Sequence, residues 1–273
     1  MCLLFHRGVV KRMINYDFNK RIADKSLDII KRRRNIFLSI LMLFLLAILF
    51  LLILTTDIFD IREITVSGNE KLSYNNIVDL SGVIIGQNIF EVDKRQVERS
   101  LEANPYIVVD SIKRRLPAEL VINITERQEA LMIEVADGYA LVDQEGVYLQ
   151  HVERKGQWML PIVIGMGDMV FDIGDNISSG SNKGKALVKL YAALKEWGML
   201  SNITHIDIQS EYDIIVMTDW GMQIRMGDSQ DLDTKMAWIQ AALKDLADKG
   251  QTKPEGVLDV AYASQAIYTP YYK

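Results

Sequence analysis

The sequence predicts an α+β protein on a single N-terminal transmembrane helix. A compact β-α-α-β-β module follows the helix, and then a second mixed domain of antiparallel sheet with flanking helices. Three observations carry this prediction. Residues 35–56, NIFLSILMLFLLAILFLLILTT, contain no charged side chain. Residues 57–127 pass through β-rich and helix-periodic segments in the order strand, helix, helix, strand, strand. Beyond them, short apolar runs are punctuated by Asp-Gly and Glu-Gly steps, which are hairpin signals. The expected organisation is a basic cytoplasmic tail (1–34), the membrane helix (35–56), the first outer module (57–127), an extracytoplasmic β domain (128–262) and a C-terminal tail (263–273).

The membrane helix follows from length and charge. Some twenty apolar residues at about 1.5 Å each cross a hydrocarbon core about 30 Å thick. A buried core helix is rarely apolar on every face for so long. A cleaved signal peptide would have an apolar stretch of only about 7–15 residues ending in small side chains; here the run ends Leu54-Thr55-Thr56-Asp57. An uncleaved anchor is expected. The run Lys31-Arg32-Arg33-Arg34 stands on one flank, and Asp57, Asp60 and Glu63 dominate the other. Positive-inside logic places the N-terminus in the cytoplasm and everything after Asp57 outside. Attraction to anionic headgroups accounts for the basic tail. Met13 serves equally well as a start, and Cys2 lacks the preceding signal that lipoprotein processing requires.

In the first module, Phe59 to Val66 is rich in β-formers, and Ser67-Gly68-Asn69 ends it as a turn. Ser73 caps an expected helix from Tyr74 to about Leu80. Gly82 and Gly86 punctuate a connector ending in Ile89-Phe90. Asp93 caps a second helix in which Val97 and Leu101 share a face, and Asn104-Pro105 stops it. Strands are expected from Tyr106 to Arg114 and from Leu120 to Glu126. Phe59, Ile61, Ile64, Ile77, Val97, Leu101, Ile107 and Ile122 are the expected core.

In the second domain, Leu131 to Val135, Tyr139 to Val142 and Val147 to Leu149 read as strands separated by Asp137-Gly138 and Glu145-Gly146. Leu160 to Ile164 reads as another, with Pro161 near its start. A Gly/Ser/Asn loop leads into an amphipathic helix, Lys185 to Trp197, with Leu187, Leu190, Tyr191 and Leu194 on one face. Three strands at Ile206–Ile208, Ile214–Thr218 and Met222–Met226 precede a helix from Leu232 to about Ala247 that opens at Asp231. Val257 to Ala261 reads as the final strand.

Composition and motif spacing exclude most chemistry. A net charge of −5 argues against a general nucleic-acid binder. One cysteine, Cys2, excludes an internal disulfide framework and a Cys-based zinc site, and His6, His151 and His205 are scattered. Gly180-Ser181-Asn182-Lys183-Gly184-Lys185-Ala186 mimics a phosphate loop but has three residues between its glycines and no Ser/Thr after Lys185. His151-Val152-Glu153 echoes a zinc-deaminase motif without its cysteine pair. Asp228, Asp231 and Asp233 lack the glycine and terminal Glu of a calcium loop and read as helix-capping acids. Asn123, Asn176 and Asn202 head glycosylation-type triplets with no evident use. No G-x-S-x-G elbow accompanies the histidines. No catalytic residue, metal ligand, cofactor or small-molecule substrate is expected, and the protein is read as a non-enzyme.

Some of these motifs together carry a resemblance. The succession F-x-I-x-x-I-x-V-x-G-N from Phe59, Gly86-Gln87-Asn88-Ile89-Phe90, Asn104-Pro105-Tyr106-Ile107, Arg115-Leu116-Pro117 and Ile124-Thr125-Glu126-Arg127 resembles a POTRA domain of the FtsQ/DivIB family of bitopic bacterial cell-division proteins. Leu141-Val142-Asp143-Gln144-Glu145-Gly146-Val147 resembles the family's LVD-x-x-G hairpin. The resemblance implies a single-pass protein of the cytoplasmic membrane at the division septum. Its implied partners are FtsL-type and DivIC/FtsB-type bitopic proteins and, through them, the septal peptidoglycan synthase, whose recruitment or regulation it would serve. The alternative reading is a membrane-anchored POTRA-like accessory of envelope transport or secretion.

A strand added last often lies at a sheet edge, where unpaired backbone groups invite strand addition by a partner. The expected partner-binding residues are therefore Asp259, Val260, Ala261, Tyr262, Ser264 and Tyr268. The resemblance implies the same surface: Asp259, Tyr262 and Ser264 fall on matching positions, and Tyr268 before Pro270 is similar to an aromatic-x-Pro ending. Ala261 departs from relatives that carry a basic residue there. The competing reading is that Tyr262 and Tyr268 close the core.

Overall fold

The computed structural model describes residues 32–52, 56–167 and 169–271; most of the expected basic tail, with Cys2 and Met13, lies outside them. An apolar helix, α1, runs Arg32–Leu52, and none of its apolar window is buried in protein. Its 21 residues rise about 31 Å, the thickness of a hydrocarbon core. By length and composition it is suited to a single membrane span.

Contacts divide the chain into two units. One holds the chain up to Glu63 together with Ile85–Val92 and Leu116–Glu119, and the other holds the remainder. In the first, Asp57–Phe59 form one 3₁₀ turn and the chain then extends. The Ile61 N–H donates to Gln87 O (2.9 Å), Gly86 N–H to Ile61 O (2.8 Å), Ile89 N–H to Phe59 O (2.8 Å) and Arg62 N–H to Ala118 O (2.9 Å). The strand expected from Phe59 therefore begins only at Glu63, because residues 59–62 satisfy their backbone groups against the connector and the 116–119 turn. Ile61 is fully buried. Phe59, expected in the core, is half-buried and meets the Phe90 ring at 5.2 Å.

The second unit begins with a three-stranded sheet in the order β1-β3-β2, built from β1 Glu63–Ser67, β2 Ile107–Arg115 and β3 Glu119–Glu126. Helix α2 is Tyr74–Ser81, with Ser73 Oγ accepting the Asn76 N–H and Gly82 ending it at φ 67. Helix α3 is Lys94–Glu102, with Asp93 accepting from Arg95 N–H. It packs on α2 and β2. Ile64, Ile77, Val97, Leu101, Ile107 and Ile122 are buried, so the faces read from the spacing point inward.

A larger sheet follows, made of β4 Glu129–Val135, β5 Gly138–Asp143, β6 Tyr148–Val152, β7 Ile162–Ile164, β8 Ile203–Ser210, β9 Asp213–Thr218, β10 Met222–Gly227, β11 Gly256–Asp259 and β12 Ile267–Pro270. Among the described residues its order is β12-β11-β10-β9-β8-β7-β4-β5-β6. Antiparallel pairs dominate, but β4–β7, β7–β8 and β10–β11 run parallel. Parallel neighbours need a crossover: helix α4, Asn182–Glu196, supplies it from β7 to β8, and helix α5, Leu232–Asp248, from β10 to β11. Both helices bury apolar faces in one cluster, where Leu187, Leu190 and Leu194 of α4 and Met236 and Ile239 of α5 join Ile206, Val216, Ile224 and Leu258. A smaller cluster of Met132, Leu141 and Ile162 is backed by Trp158 and Leu160.

The two sheets meet at Glu126-Arg127-Gln128-Glu129. The Glu126 carboxylate accepts the backbone N–H groups of Glu70, Lys71 and Leu72 at 2.8–2.9 Å. Arg127 donates through Nη1 to Asp143 Oδ2 (2.6 Å) and Glu145 Oε2 (2.9 Å), and its own N–H bonds Tyr106 O (2.8 Å). Glu129 takes Lys71 Nζ (2.9 Å) and the Tyr106 hydroxyl (3.0 Å). Burial raises the pKa of Glu126, but its three backbone donors and the Lys71 charge outweigh this and leave it lowered. Glu129 is lowered in the same way, with Lys71 and Tyr106 overcoming desolvation.

Two outcomes follow from this packing. Leu101→Ala, at a fully buried position, should cost about 2–5 kcal/mol in urea unfolding of the region after α1. Glu126 and Glu129 ionise more readily folded than unfolded, so each stabilises the fold above the ordinary carboxylate range. That contribution is lost as pH falls through the lowered folded value. Glu126→Gln should accordingly flatten the acid limb of the stability–pH curve, and an unchanged limb would contradict the assignment.

Candidate functional site

The C-terminal corner of the large sheet collects the residues singled out for partner binding, and α5 sets its geometry. Asp231, expected to cap this helix, instead adopts φ 49 and makes no side-chain cap hydrogen bond. The reason lies one turn on. Lys235 is 2% exposed and must be neutralised; its Nζ reaches Asp228 Oδ1 (2.7 Å) and Asp228 O (2.9 Å). The bond from Lys235, against a smaller effect of burial, holds the Asp228 carboxyl below its usual range. The chain thus turns sharply into α5, which returns it to β11 beside β10.

β11 is not the sheet edge. It pairs parallel with β10 on one side and antiparallel with β12 on the other, Leu258 opposite Tyr268 and Asp259 opposite Ile267. The expected final strand is therefore interior, and the edge is β12, inside the segment expected as a tail. Two glycines permit this. A Cβ on Gly256 would lie 2.4 Å from Thr269 O, and one on Gly227 (φ 66) 2.9 Å from the Ala261 Cβ. Gly227 also falls at a register shift between β9 and β10, where the chain after β11 crosses.

The six predicted residues are brought to this corner but play different parts. Val260 is fully buried and its N–H bonds Arg225 O (3.0 Å), so its side chain belongs to the core. Asp259 Oδ1 accepts the Ala261 N–H (3.0 Å), which fixes the turn out of β11. Tyr268 packs against the main cluster and donates its hydroxyl to Glu255 O (2.8 Å); for this tyrosine the core-closing reading holds in part. Tyr262 is 78% exposed and closes nothing. Ser264 is exposed.

Three further residues complete the surface. Trp238 of α5 donates Nε1–H to Ala263 O (3.0 Å), clamping the segment between β11 and β12. Ile267, on the edge strand, is 51% exposed. Arg225 stands 3.9 Å from Asp259 and 3.8 Å from Asp213, supplying a cation near the position where Ala261 lacks one. Arg225 was legible only as the polar member between the core residues Ile224 and Met226; nothing in the sequence marked Trp238 or Ile267.

The apparent active-site motifs resolve into structure. Ser181 caps α4 by accepting the Gly184 N–H, and a Cβ on Gly184 would meet Ile177 O at 1.9 Å, so that glycine serves packing. Among the described residues, no three His, Cys, Asp or Glu side chains come together as a metal site. His151 lies 3.8 Å from Asp137.

A family model described as POTRA domain, FtsQ-type, matches residues 59–127, and one described as Cell division protein FtsQ/DivIB, C-terminal, matches residues 131–262. The chain belongs to the FtsQ/DivIB family of cell-division proteins. Cell division protein DivIB of Clostridium botulinum (strain Loch Maree / Type A3) is 25% identical over 248 residues, covering 90% of this chain and 96% of the relative. Cell division protein FtsQ of Corynebacterium glutamicum is 25% identical over 207 residues, 73% of this chain and 86% of the relative. A solved structure of the major extracytoplasmic domain of the trans isomer of DivIB from Geobacillus stearothermophilus overlaps 45% of this chain and 97% of its own, at 16% identity and TM-score 0.30.

The division of labour between the two tyrosines is directly measurable. Tyr268→Ala should lower the stability of the region after α1, by about 1–3 kcal/mol for a half-buried ring and its hydrogen bond. Tyr262→Ala should leave the urea midpoint unchanged within about 0.5 kcal/mol. Equal effects would mean that both tyrosines belong to the core.

Proposed function

We propose that the protein is a non-enzymatic divisome scaffold, anchored N-in and C-out. Its outer region binds FtsL-type and DivIC/FtsB-type bitopic proteins and thereby helps recruit or regulate septal peptidoglycan synthesis. The observation that carries the reading is the order of parts: one apolar helix, then the FtsQ-type POTRA match, then the FtsQ/DivIB C-terminal match. The charge drop from Lys31–Arg34 to Asp57, Asp60 and Glu63 supports the orientation.

The partner site in this reading is the β12 edge with Asp259, Ala261, Tyr262, Ser264 and Tyr268, while the buried Val260 holds the segment in place through its N–H bond to Arg225 O. An edge strand offers main-chain groups for strand addition, and an exposed tyrosine is a favoured anchor. Domain limits of 57–127 and 128–262, with the cytoplasmic tail ending at 34, belong to the same reading.

Three experiments test it. A reporter active only outside the membrane should work when fused after Lys273 and stay silent when fused before Asn35; the reverse would defeat the topology. Pull-down of the outer region should recover the two small bitopic partners, and Tyr262→Ala should reduce recovery at unchanged stability. Depletion that leaves septation normal would defeat the division role.

A further inference from the structure

The unit that contains α1 carries an apolar crown. Ile58 is 57% exposed, Ile85 56%, Leu116 57% and Phe90 37%, and the Phe90 ring meets that of Phe59, the next residue after Ile58. All four belong to the unit that also contains α1. The hydrogen bonds that hold residues 59–62 explain why they converge. That segment lies with the 86–89 connector on one side and Ala118 on the other. The 85–90 loop and the 116–118 turn therefore flank the strand that comes straight from the membrane helix.

Scattered exposed apolar residues need no explanation, but a cluster at one end does. Its position says what covers it. Ile58 follows Leu52, the last described residue of α1, by six positions, a reach of at most about 22 Å even fully extended. The expected span runs on to Thr56, which would leave Ile58 within about 7 Å of the hydrocarbon boundary. A cluster tethered so close to the bilayer meets lipid at a very high effective concentration.

We propose that Ile58, Ile85 and Leu116, with Phe90, insert into the interfacial zone of the bilayer and seat the module on the membrane surface. The driving force is apolar burial rather than headgroup charge, since the charged chain neighbours of these residues are of mixed sign, Asp57, Asp60, Glu63, Glu91 and Glu119 against Arg62, Lys94, Arg114 and Arg115. Seating therefore needs no anionic lipid and resists salt. Its consequence is orientation: a module fixed on the membrane cannot swivel freely about the chain after α1. The inference rests on α1 being a membrane anchor.

The test uses the full chain with Cys2→Ser, the chain's single cysteine, reconstituted in phosphatidylcholine vesicles. Single cysteines replace Ile58, Ile85, Leu116, Leu45 within α1, or the exposed Tyr212, and each carries an environment-sensitive fluorophore. Labels at 58, 85 and 116 should shift to the blue and lose most of their emission to a lipid with a shallow nitroxide, in low and high salt alike. The label at 212 should do neither, and that at 45 should respond to a deep nitroxide. A quenched label at 45 with watery labels at 85 and 116 would overturn the inference and leave the anchor standing. A watery label at 45 would remove the anchor and the inference together. A blue shift that grows with protein density and is untouched by lipid nitroxides would assign the crown to a second copy, which also overturns it.

Discussion

The ion pair between Arg127 and Asp143 is the constraint on which the joined sheets turn. The Asp143 side chain is 4% exposed and that of Arg127 21%, so neither can rely on water for its charge. Every Asp143 lone pair in use is directed. Oδ1 accepts the N–H groups of Glu145 (2.9 Å) and Val147 (2.7 Å), and Oδ2 takes Arg127. The carboxylate therefore builds the β5–β6 turn and ties it to the last residues of the small sheet in one act. The turn is also pressed against the core, since a Cβ on Gly146 (φ 85) would meet Val188 and Ile177 below 3 Å. A shift of Arg127 would be felt in the turn, and through the turn in the packing of α4.

The same logic, a buried charge fixing a change of chain direction, recurs at the far end of the sheet. Lys235 is held by Asp228 and sets the entry into α5, and α5 carries the chain across to lay β11 parallel to β10. Because β11 is interior, the polypeptide must turn once more to finish the sheet. Asp259, Gly227 and Trp238 shape that turn between them. The edge offered to a partner in the proposed function is thus the last product of a sequence of crossovers, and its position depends on core residues of α5 such as Met236 and Ile239 as much as on its own.

How much of this could be read from the residues depends on the range of the forces involved. Ser73, Asp93, Val97 and Leu101 were legible because capping and i, i+4 burial are local, and the membrane span because its signal is composition. Strand β12 was not: Ile267-Tyr268-Thr269-Pro270 has too few residues and ends in proline, and it is a strand only because β11 lies beside it. The start of β1 was misplaced for the opposite reason. Residues 59–62 have strand propensity, but their hydrogen bonds go to loops that come together only in the folded chain. Asp231 looked like a cap because the sequence does not announce that Lys235 is buried. Of the candidate site, Tyr262 and Tyr268 could be named from the residues, but their different burial follows from cross-strand register, since Tyr268 lies opposite the core residue Leu258.

The perturbed ionisable groups lead to a last point. Strong shifts often mark functional sites, yet structural ion-pair networks produce them too. Glu126, Arg127, Glu129 and Asp228 are all shifted, and each is engaged by a backbone donor or an opposite charge at a joint between elements. Their charge is committed to geometry, and none stands poised beside a free nucleophile. What the large sheet leaves uncommitted at its C-terminal corner, among the described residues, is an edge strand, the Tyr262 ring and Ile267. Main-chain hydrogen bonds along an edge accept almost any extended segment, so selectivity there must come from side chains flanking it. In the proposed function the edge must be held in one register, and the buried pairs at Arg127 and Lys235 hold the sheet that defines it.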